Sequence, residues 1–474
     1  MAHSLWDVHR STFMAGVVEG FYGAPWTDAE RLELFDWMAG WALDTYVYAP
    51  KDDLHHRARW RERYAAADAD RVRELTRACA DRGLRFVYGL GPGLDIRYGS
   101  DADVRCLQSR VEQVLALGCD HVALLFDDVP DSLGEEDLER WGALAPAQCH
   151  VANALVGWLR DQRAGARLLF CPTAYCGRMA AAGLGGPGYL EALGRDLQPD
   201  IDILWTGPEI VSREITVVHA REMGEILRRR PVIWDNLHAN DYDGRRFFCG
   251  PYAGRPAALR DEVGGLLSNP NCEFPLNYVP IRTLAAYVHG RGAWDPRGAW
   301  LEAMAEWHSQ MHTIDGPLPF EDLTVFGDCY YLPHEEGPAA RELEDRLADL
   351  LGRTPAEWGP EADVLQAAIR RLRACCERLT TLRARPLFHA LSRRIWELRE
   401  ELDLLDRFLE AQRGGDGTPV RVRSDAHQPG TYRGGLVAAL QRLVVQCPDG
   451  AFVSAAARRD ENRPGGMSGS AGTR

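Results

Sequence analysis

The sequence predicts an α/β fold, a (β/α)8 TIM barrel followed by an all-α helical bundle domain. Three observations carry that expectation. Eight short runs rich in Val, Ile, Leu and aromatic residues alternate with amphipathic helical patterns as far as about residue 270, which is the alternation of parallel β/α units. Each run breaks into a polar or glycine-rich loop. After about residue 300 the strand signal fades and helical periodicity takes over.

The first run, Met14 to Val18, leads into Gly20-Phe21-Tyr22-Gly23. Thr27-Asp28-Ala29-Glu30 then opens a helix, because the Thr27 hydroxyl can cap it while Glu30 reaches back to the cap amide. Leu32, Phe35, Met38 and Trp41 are expected on its buried face. Further strands are expected at Thr45 to Tyr48, Arg85 to Gly89, Val122 to Phe126, Leu168 to Phe170, Ile201 to Trp205 and Val232 to Trp234. The eighth, Gly264 to Ser268, is placed before Asn269 because Phe274, Tyr278, Ile281 and Leu284 recur afterwards at helical intervals.

A connector at Pro317 to Pro319 leads into the helical region. There Leu391, Ile395, Leu398, Leu402, Leu405 and Leu409 alternate at spacings of four and three, one apolar stripe along a long helix. Such a stripe suits either an intramolecular bundle core or a homodimer interface. The expected domains are therefore a barrel over 1–300, a stalk-like helical domain over 301–457, and a Gly-, Ser- and Arg-rich disordered tail over 458–474.

Composition narrows the partners. The 474 residues are 46% hydrophobic with a formal net charge of −14, which argues against nucleic acid or an anionic membrane, since both need clustered Lys and Arg. No run approaches the roughly 18 apolar residues of a membrane span. The 12 cysteines are scattered without a C-x-x-C, and Met1 to Arg10 is polar rather than leader-like. Reduced thiols and a cytoplasmic setting are expected.

In a (β/α)8 barrel the active site lies at the C-terminal ends of the strands. That rule selects Gly20 to Gly23, Lys51 to Asp53, Gly91 to Asp95, Asp127 and Asp128, Thr173 to Tyr175, Thr206 to Glu209, Asp235 to Asp241, and Asn269. Asp127-Asp128 stands out because two carboxylates follow a wholly apolar strand. Mutual repulsion and partial burial are expected to raise the pKa of one, leaving the other ionised. A carboxyl that still holds its proton near neutral pH is what protonation of a glycosidic oxygen requires. Consecutive side chains are too close to flank a sugar as the acid and base of an inverting enzyme.

The run Trp234 to Tyr242 concentrates amide, carboxylate and aromatic groups suited to sugar hydroxyls and a pyranose face, though a loop with its own Asx turns reads the same way. Lys51 fits a ligand-binding or a solvated lysine. His55-His56 lacks a Glu or Cys at ligand spacing, so no metal is expected, and Gly91-Pro92-Gly93 lacks the residues that complete a phosphate loop. No cofactor is expected.

These stretches also resemble a known family. Gly16 to Gly23, Tyr48-Ala49-Pro50-Lys51-Asp52-Asp53, Leu125 to Asp128, Cys171-Pro172-Thr173, Trp205 to Pro208, Trp234-Asp235-Asn236 with His238 to Asp243, and Asn269-Pro270-Asn271 resemble the catalytic domain of the O-GlcNAcases, glycoside hydrolase family 84. The likeness runs over about residues 13 to 290 and continues at Tyr331-Leu332-Pro333. It implies a retaining β-N-acetylglucosaminidase in which the substrate's own acetamido oxygen attacks the anomeric carbon, giving an oxazoline. Asp127 would then polarise the acetamido N–H, and Asp128 would act as acid and then base. Gly23, Lys51, Asn236, Asp241 and Asn269 would bind the sugar, while Tyr175 and Trp234 would shape the acetamido pocket. The acetyltransferase-like C-terminal domain of the animal enzymes and the leader of secreted bacterial relatives are not expected. The alternatives are a catalytically inactive GlcNAc-binding barrel and a metal-dependent hydrolase.

Overall fold

The computed structural model describes residues 13–414, 434–456 and 458. These residues form two compact units, divided between Ala303 and Met304. In the first, eight parallel strands close into a barrel in chain order. They are β1 (Met14–Glu19), β2 (Thr45–Tyr48), β3 (Arg85–Leu90), β4 (His121–Leu125), β5 (Leu168–Cys171), β6 (Asp202–Trp205), β7 (Val232–Asp235) and β8 (Gly265–Ser268). Closure is made by β8 on β1, with Met14 opposite Gly265 and Val17 opposite Ser268. Each expected strand is present, its ends displaced by no more than a residue. Phe126 has left β4, yet its N–H still donates to the Cys171 carbonyl at 2.9 Å, so the chain turns at the two aspartates.

The barrel is filled by inward side chains, among them Val18, Val47, Val87, Ala123, Leu125, Leu169, Leu204, Val232 and Leu267, all buried. Parallel strands covered on both faces are apolar along their whole length, which is why they read as unbroken hydrophobic runs.

Two buried ion pairs tie the strand ends to their surroundings. Glu19, at the end of β1 and wholly buried, accepts from Arg31 Nη2 at 2.7 Å and Nε at 2.9 Å, from the Trp26 amide at 3.0 Å, and from the Tyr46 hydroxyl. This corrects the expected face of the first helix, Asp28–Gly40. Its buried residues are Arg31, Leu34, Phe35 and Met38, whereas Leu32 is exposed and Trp41 half-buried. A carboxylate inside the barrel wall demands a cation, and the helix rotates to supply one. The Thr27–Glu30 capping box forms as expected.

The second pair is Asp235 with Arg255, both buried, at 2.7 Å and 2.8 Å. Asp235 also accepts from Tyr252 at 2.6 Å and from the Leu237 amide at 3.1 Å. The same guanidinium donates to the carbonyls of Ser212, Arg213 and Ala253. One arginine thus braces the long loop that follows β7.

The second unit is mainly helical, with long helices at Gly359–Leu379 and Arg385–Gly414. All six residues of the Leu391 to Leu409 stripe are buried in it, which accounts for the periodicity as intramolecular core. Two short two-stranded ladders were not anticipated. They pair His312–Thr313 with Gly316–Pro317 and Val444–Gln446 with Phe452–Ser454. The expected tail over 458–474 lies outside the described residues except at 458.

Candidate active site

A half-open cleft lies at the C-terminal ends of the barrel strands, where a (β/α)8 barrel places its active site. Gly20 and Tyr22 line it from the β1 loop, Lys51 from the β2 loop, Asp127 and Asp128 from the β4 turn, and Cys171 and Tyr175 from the end of β5. Thr206, Trp234, Asn236, Asp241, Tyr242 and Asn269 complete it from the last three strands and their loops.

The adjacent aspartates part company because Asp128 adopts a left-handed backbone, with φ 51°. Asp127 turns into the floor and is 9% exposed, whereas Asp128 is at the exposed rim. Asp127 Oδ2 accepts from Lys51 Nζ at 2.5 Å, while its Oδ1 has no hydrogen-bond partner among the described residues. Burial alone would raise the Asp127 carboxyl, but the Lys51 charge and hydrogen bond outweigh it and hold the group below its ordinary value. Burial likewise disfavours the Lys51 cation, and Asp127 more than restores it. Asp127 is therefore held ionised, and what holds it so is a lysine rather than repulsion from its neighbour.

Asp128 accepts from the Tyr22 hydroxyl at 2.9 Å on Oδ2 and from the Tyr175 hydroxyl at 3.1 Å on Oδ1. Three loops thus meet on one carboxyl.

The opposite wall is an amide network. Asn236 Oδ1 accepts from Trp234 Nε1 at 3.1 Å and from Asn269 Nδ2 at 2.9 Å, and Asn236 Nδ2 donates to the Ile210 carbonyl at 2.8 Å. These bonds fix both amides, leaving Asn269 Oδ1 unpartnered among the described residues. Asp241 accepts the Tyr22 amide on Oδ2 at 2.9 Å, and its Oδ1 has no hydrogen-bond partner among the described residues; burial raises its carboxyl. Gly20 is required beneath Trp234, since a Cβ there would lie 2.2 Å from the indole Cζ2.

Of the nine site residues expected from sequence, the structure gathers eight around the cleft, and Gly23 is not among the lining residues. A Cβ on Gly23 would face Cys272 Sγ at 3.2 Å, so the first loop reaches the cleft through Gly20 and Tyr22 instead. The loop Gly91 to Asp95 is also absent from the lining. Its Asp95 binds Trp60 Nε1 at 2.7 Å and Arg61 at 2.6 Å, bracing the β2 loop. Asp53 is spent on Tyr48 and Tyr64.

His56 is buried against the Gly89 carbonyl at 2.9 Å, and among the described residues no three His, Cys, Asp or Glu side chains converge as a metal site requires. Cys171, which lines the cleft, and Arg57, which contacts Tyr22 and Asp128 at its rim, were not among the expected site residues. Cys171 enters the sequence reading only through the Cys171-Pro172-Thr173 resemblance, and an arginine within His55-His56-Arg57-Ala58-Arg59 carries no signal of its own.

The family model described as beta-N-acetylglucosaminidase matches residues 15–315, which hold every lining residue. Protein O-GlcNAcase of Rattus norvegicus and that of Mus musculus are each 44% identical over 275 residues, 58% of this chain and 30% of theirs. The chain thus matches about a third of the length of those curated relatives. An O-GlcNAc hydrolase mutant of Thermobaculum terrenum superposes with a TM-score of 0.73 at 26% identity, covering 86% of this chain and 88% of that one. With a matching family model over more than half its length, the chain belongs to the β-N-acetylglucosaminidase family of glycoside hydrolases.

Proposed function

We propose that the chain is a retaining β-N-acetylglucosaminidase that releases β-linked N-acetylglucosamine, from Ser or Thr of proteins or from small glycosides, through an oxazoline intermediate. In this reading residues 1–300 are the catalytic domain and 301–457 a stalk-like helical domain. A cytoplasmic setting belongs to the same proposal and is supported by twelve free thiols. Among the described residues no helix is long and apolar enough to cross a membrane.

One observation carries the mechanism. Asp127 is buried, kept ionised by Lys51 on one oxygen, and presents the other without a partner. A buried carboxylate oxygen left unsatisfied calls for a ligand donor, and the acetamido N–H supplies one. Hydrogen-bonding that N–H makes the acetamido carbonyl oxygen a better nucleophile. It attacks C1 while Asp128 gives its proton to the glycosidic oxygen, and the aglycone leaves. Asp128, now a carboxylate, takes a proton from water as that water attacks C1, the oxazoline ring opens, and the product keeps its configuration. No enzyme nucleophile is required, which reconciles two adjacent carboxylates with glycoside chemistry. Asp241 Oδ1 and Asn269 Oδ1 accept from sugar hydroxyls, Lys51 and Asn236 complete their hydrogen bonding, and Tyr175 and Trp234 enclose the acetamido methyl.

The test is proton NMR of an aryl β-N-acetylglucosaminide during turnover, with a thiazoline analogue of the oxazoline as competitor. The β-anomer should accumulate first and the analogue should inhibit competitively. First appearance of the α-anomer would overturn the mechanism, and binding without turnover would restore the reading of an inactive glycan-binding barrel.

A further inference from the structure

Arg57, on the loop after β2, has no carboxylate side chain within ion-pair distance among the described residues. It spends its guanidinium on neutral oxygens. Nη1 donates to the Tyr22 hydroxyl at 2.6 Å, and Nη2 donates to the backbone carbonyl of Asp128 at 2.9 Å. Its stem lies over Gly91, where a Cβ would stand 3.2 Å from Arg57 Cγ. Asp128 itself is one of only three described non-glycine residues with positive φ, the others being Ala42 and Arg228. That conformation is disfavoured in an L-residue, and it persists where the surroundings hold it.

We propose that Arg57 is a positioning residue for Asp128, pinning the turn through its carbonyl and, through Tyr22, selecting which carboxyl oxygen carries the proton. This rests on the reading of Asp128 as the acid. A guanidinium only donates, so the Tyr22 oxygen accepts from Arg57 and its single hydrogen goes to Oδ2, at 2.9 Å. Oδ2 is thereby held as an acceptor. The proton is carried on Oδ1, whose neighbour is the Tyr175 hydroxyl at 3.1 Å. Tyr175 has no second partner for that hydroxyl among the described residues, so it can turn to accept while Oδ1 is protonated. In the glycosidic step the Oδ1–H bond breaks, its electron pair stays on Oδ1, and the proton passes to the leaving oxygen. The new carboxylate then accepts from both tyrosines, as in the geometry described.

A group that places the acid matters most where the leaving group needs protonation, whereas a group that only supports the fold weakens every substrate alike. The experiment compares kcat/KM of wild type, Arg57→Ala and Tyr22→Phe on 3,4-dinitrophenyl and 4-methoxyphenyl β-N-acetylglucosaminides. Each variant should lose about 10²-fold on the methoxyphenyl glycoside, within the range of general acid catalysis, and less than about tenfold on the dinitrophenyl one. Tyr22→Phe decides the matter if Arg57→Ala fails to fold. Equal losses on both substrates, or no loss on either, overturn the role of Arg57. A wild type inactive on both overturns the glycosidase reading and this inference with it.

Discussion

Lys51 and Asp127 share a hydrogen bond of 2.5 Å, and each shifts the other's titration. The Asp127 carboxyl in the folded protein lies below its ordinary value of 3.8, so the ionised form is lost only as pH falls through that lower value. Lys51→Met removes the cation and leaves the burial, which raises the group instead. The acid limb of the pH profile of kcat/KM should then move upward, because the adjacent opposite charge that favoured the carboxylate is gone. An acid limb that stays where wild type has it would show that Lys51 does not set the charge of Asp127. At this scale the aspartate pair was legible because polar residues closing an apolar strand must emerge at the barrel mouth. Arg57 was not, because its partners are a tyrosine hydroxyl and a backbone carbonyl brought close by the fold, and neither leaves a pattern along the chain.

At the scale of elements, legibility followed burial symmetry. Barrel strands covered on both faces are continuous apolar runs, and all eight could be read to within a residue. The first helix was misread because its buried face includes Arg31, an ionic contact across the barrel wall that hydrophobic periodicity cannot register. Two-residue ladders such as His312–Thr313 are shorter than any periodic signal. The Asp235–Arg255 clamp is the same kind of contact, and it holds the loop carrying Asn236 and Asp241. Arg255→Met should leave Asp235 buried without its cation and the carbonyls of Ser212, Arg213 and Ala253 without their donor. Losing one partner of a buried pair costs about 3–5 kcal/mol. Urea unfolding should show that loss, with KM for an aryl glycoside rising in the same variant as the loop loosens. Unchanged stability would mean that water reaches Asp235 and takes over from the arginine.

Over the whole molecule, two buried histidines and one half-buried histidine make stability depend on acid in a defined window. His56, His121 and His238 are each pushed down to about 4, chiefly by burial, from an ordinary 6.5. His56 and His238 each use one ring nitrogen on a backbone carbonyl, at 2.9 Å and 3.0 Å, and leave the other without a partner among the described residues. His121 Nδ1 accepts the Arg167 amide at 3.2 Å, a bond that protonation there would break. The folded pKa is below the unfolded one, so below pH 6.5 the unfolded chain binds protons that the folded chain refuses, and stability present above 6.5 is lost as pH falls toward 4. Each histidine can contribute a loss of about 3 kcal/mol by the lower end. Glu33, Asp202 and Asp241 are raised by burial and offset part of this by binding protons in the folded state. The histidine window opens first, above the ordinary carboxylate range. Urea unfolding at steps from pH 7.5 to 4.5 should show stability falling from about pH 6.5, with a slope that approaches three protons taken up on unfolding. Stability that is level from pH 7 to 5 would mean these rings titrate normally in the folded state, and the barrel would then have to admit water to all three.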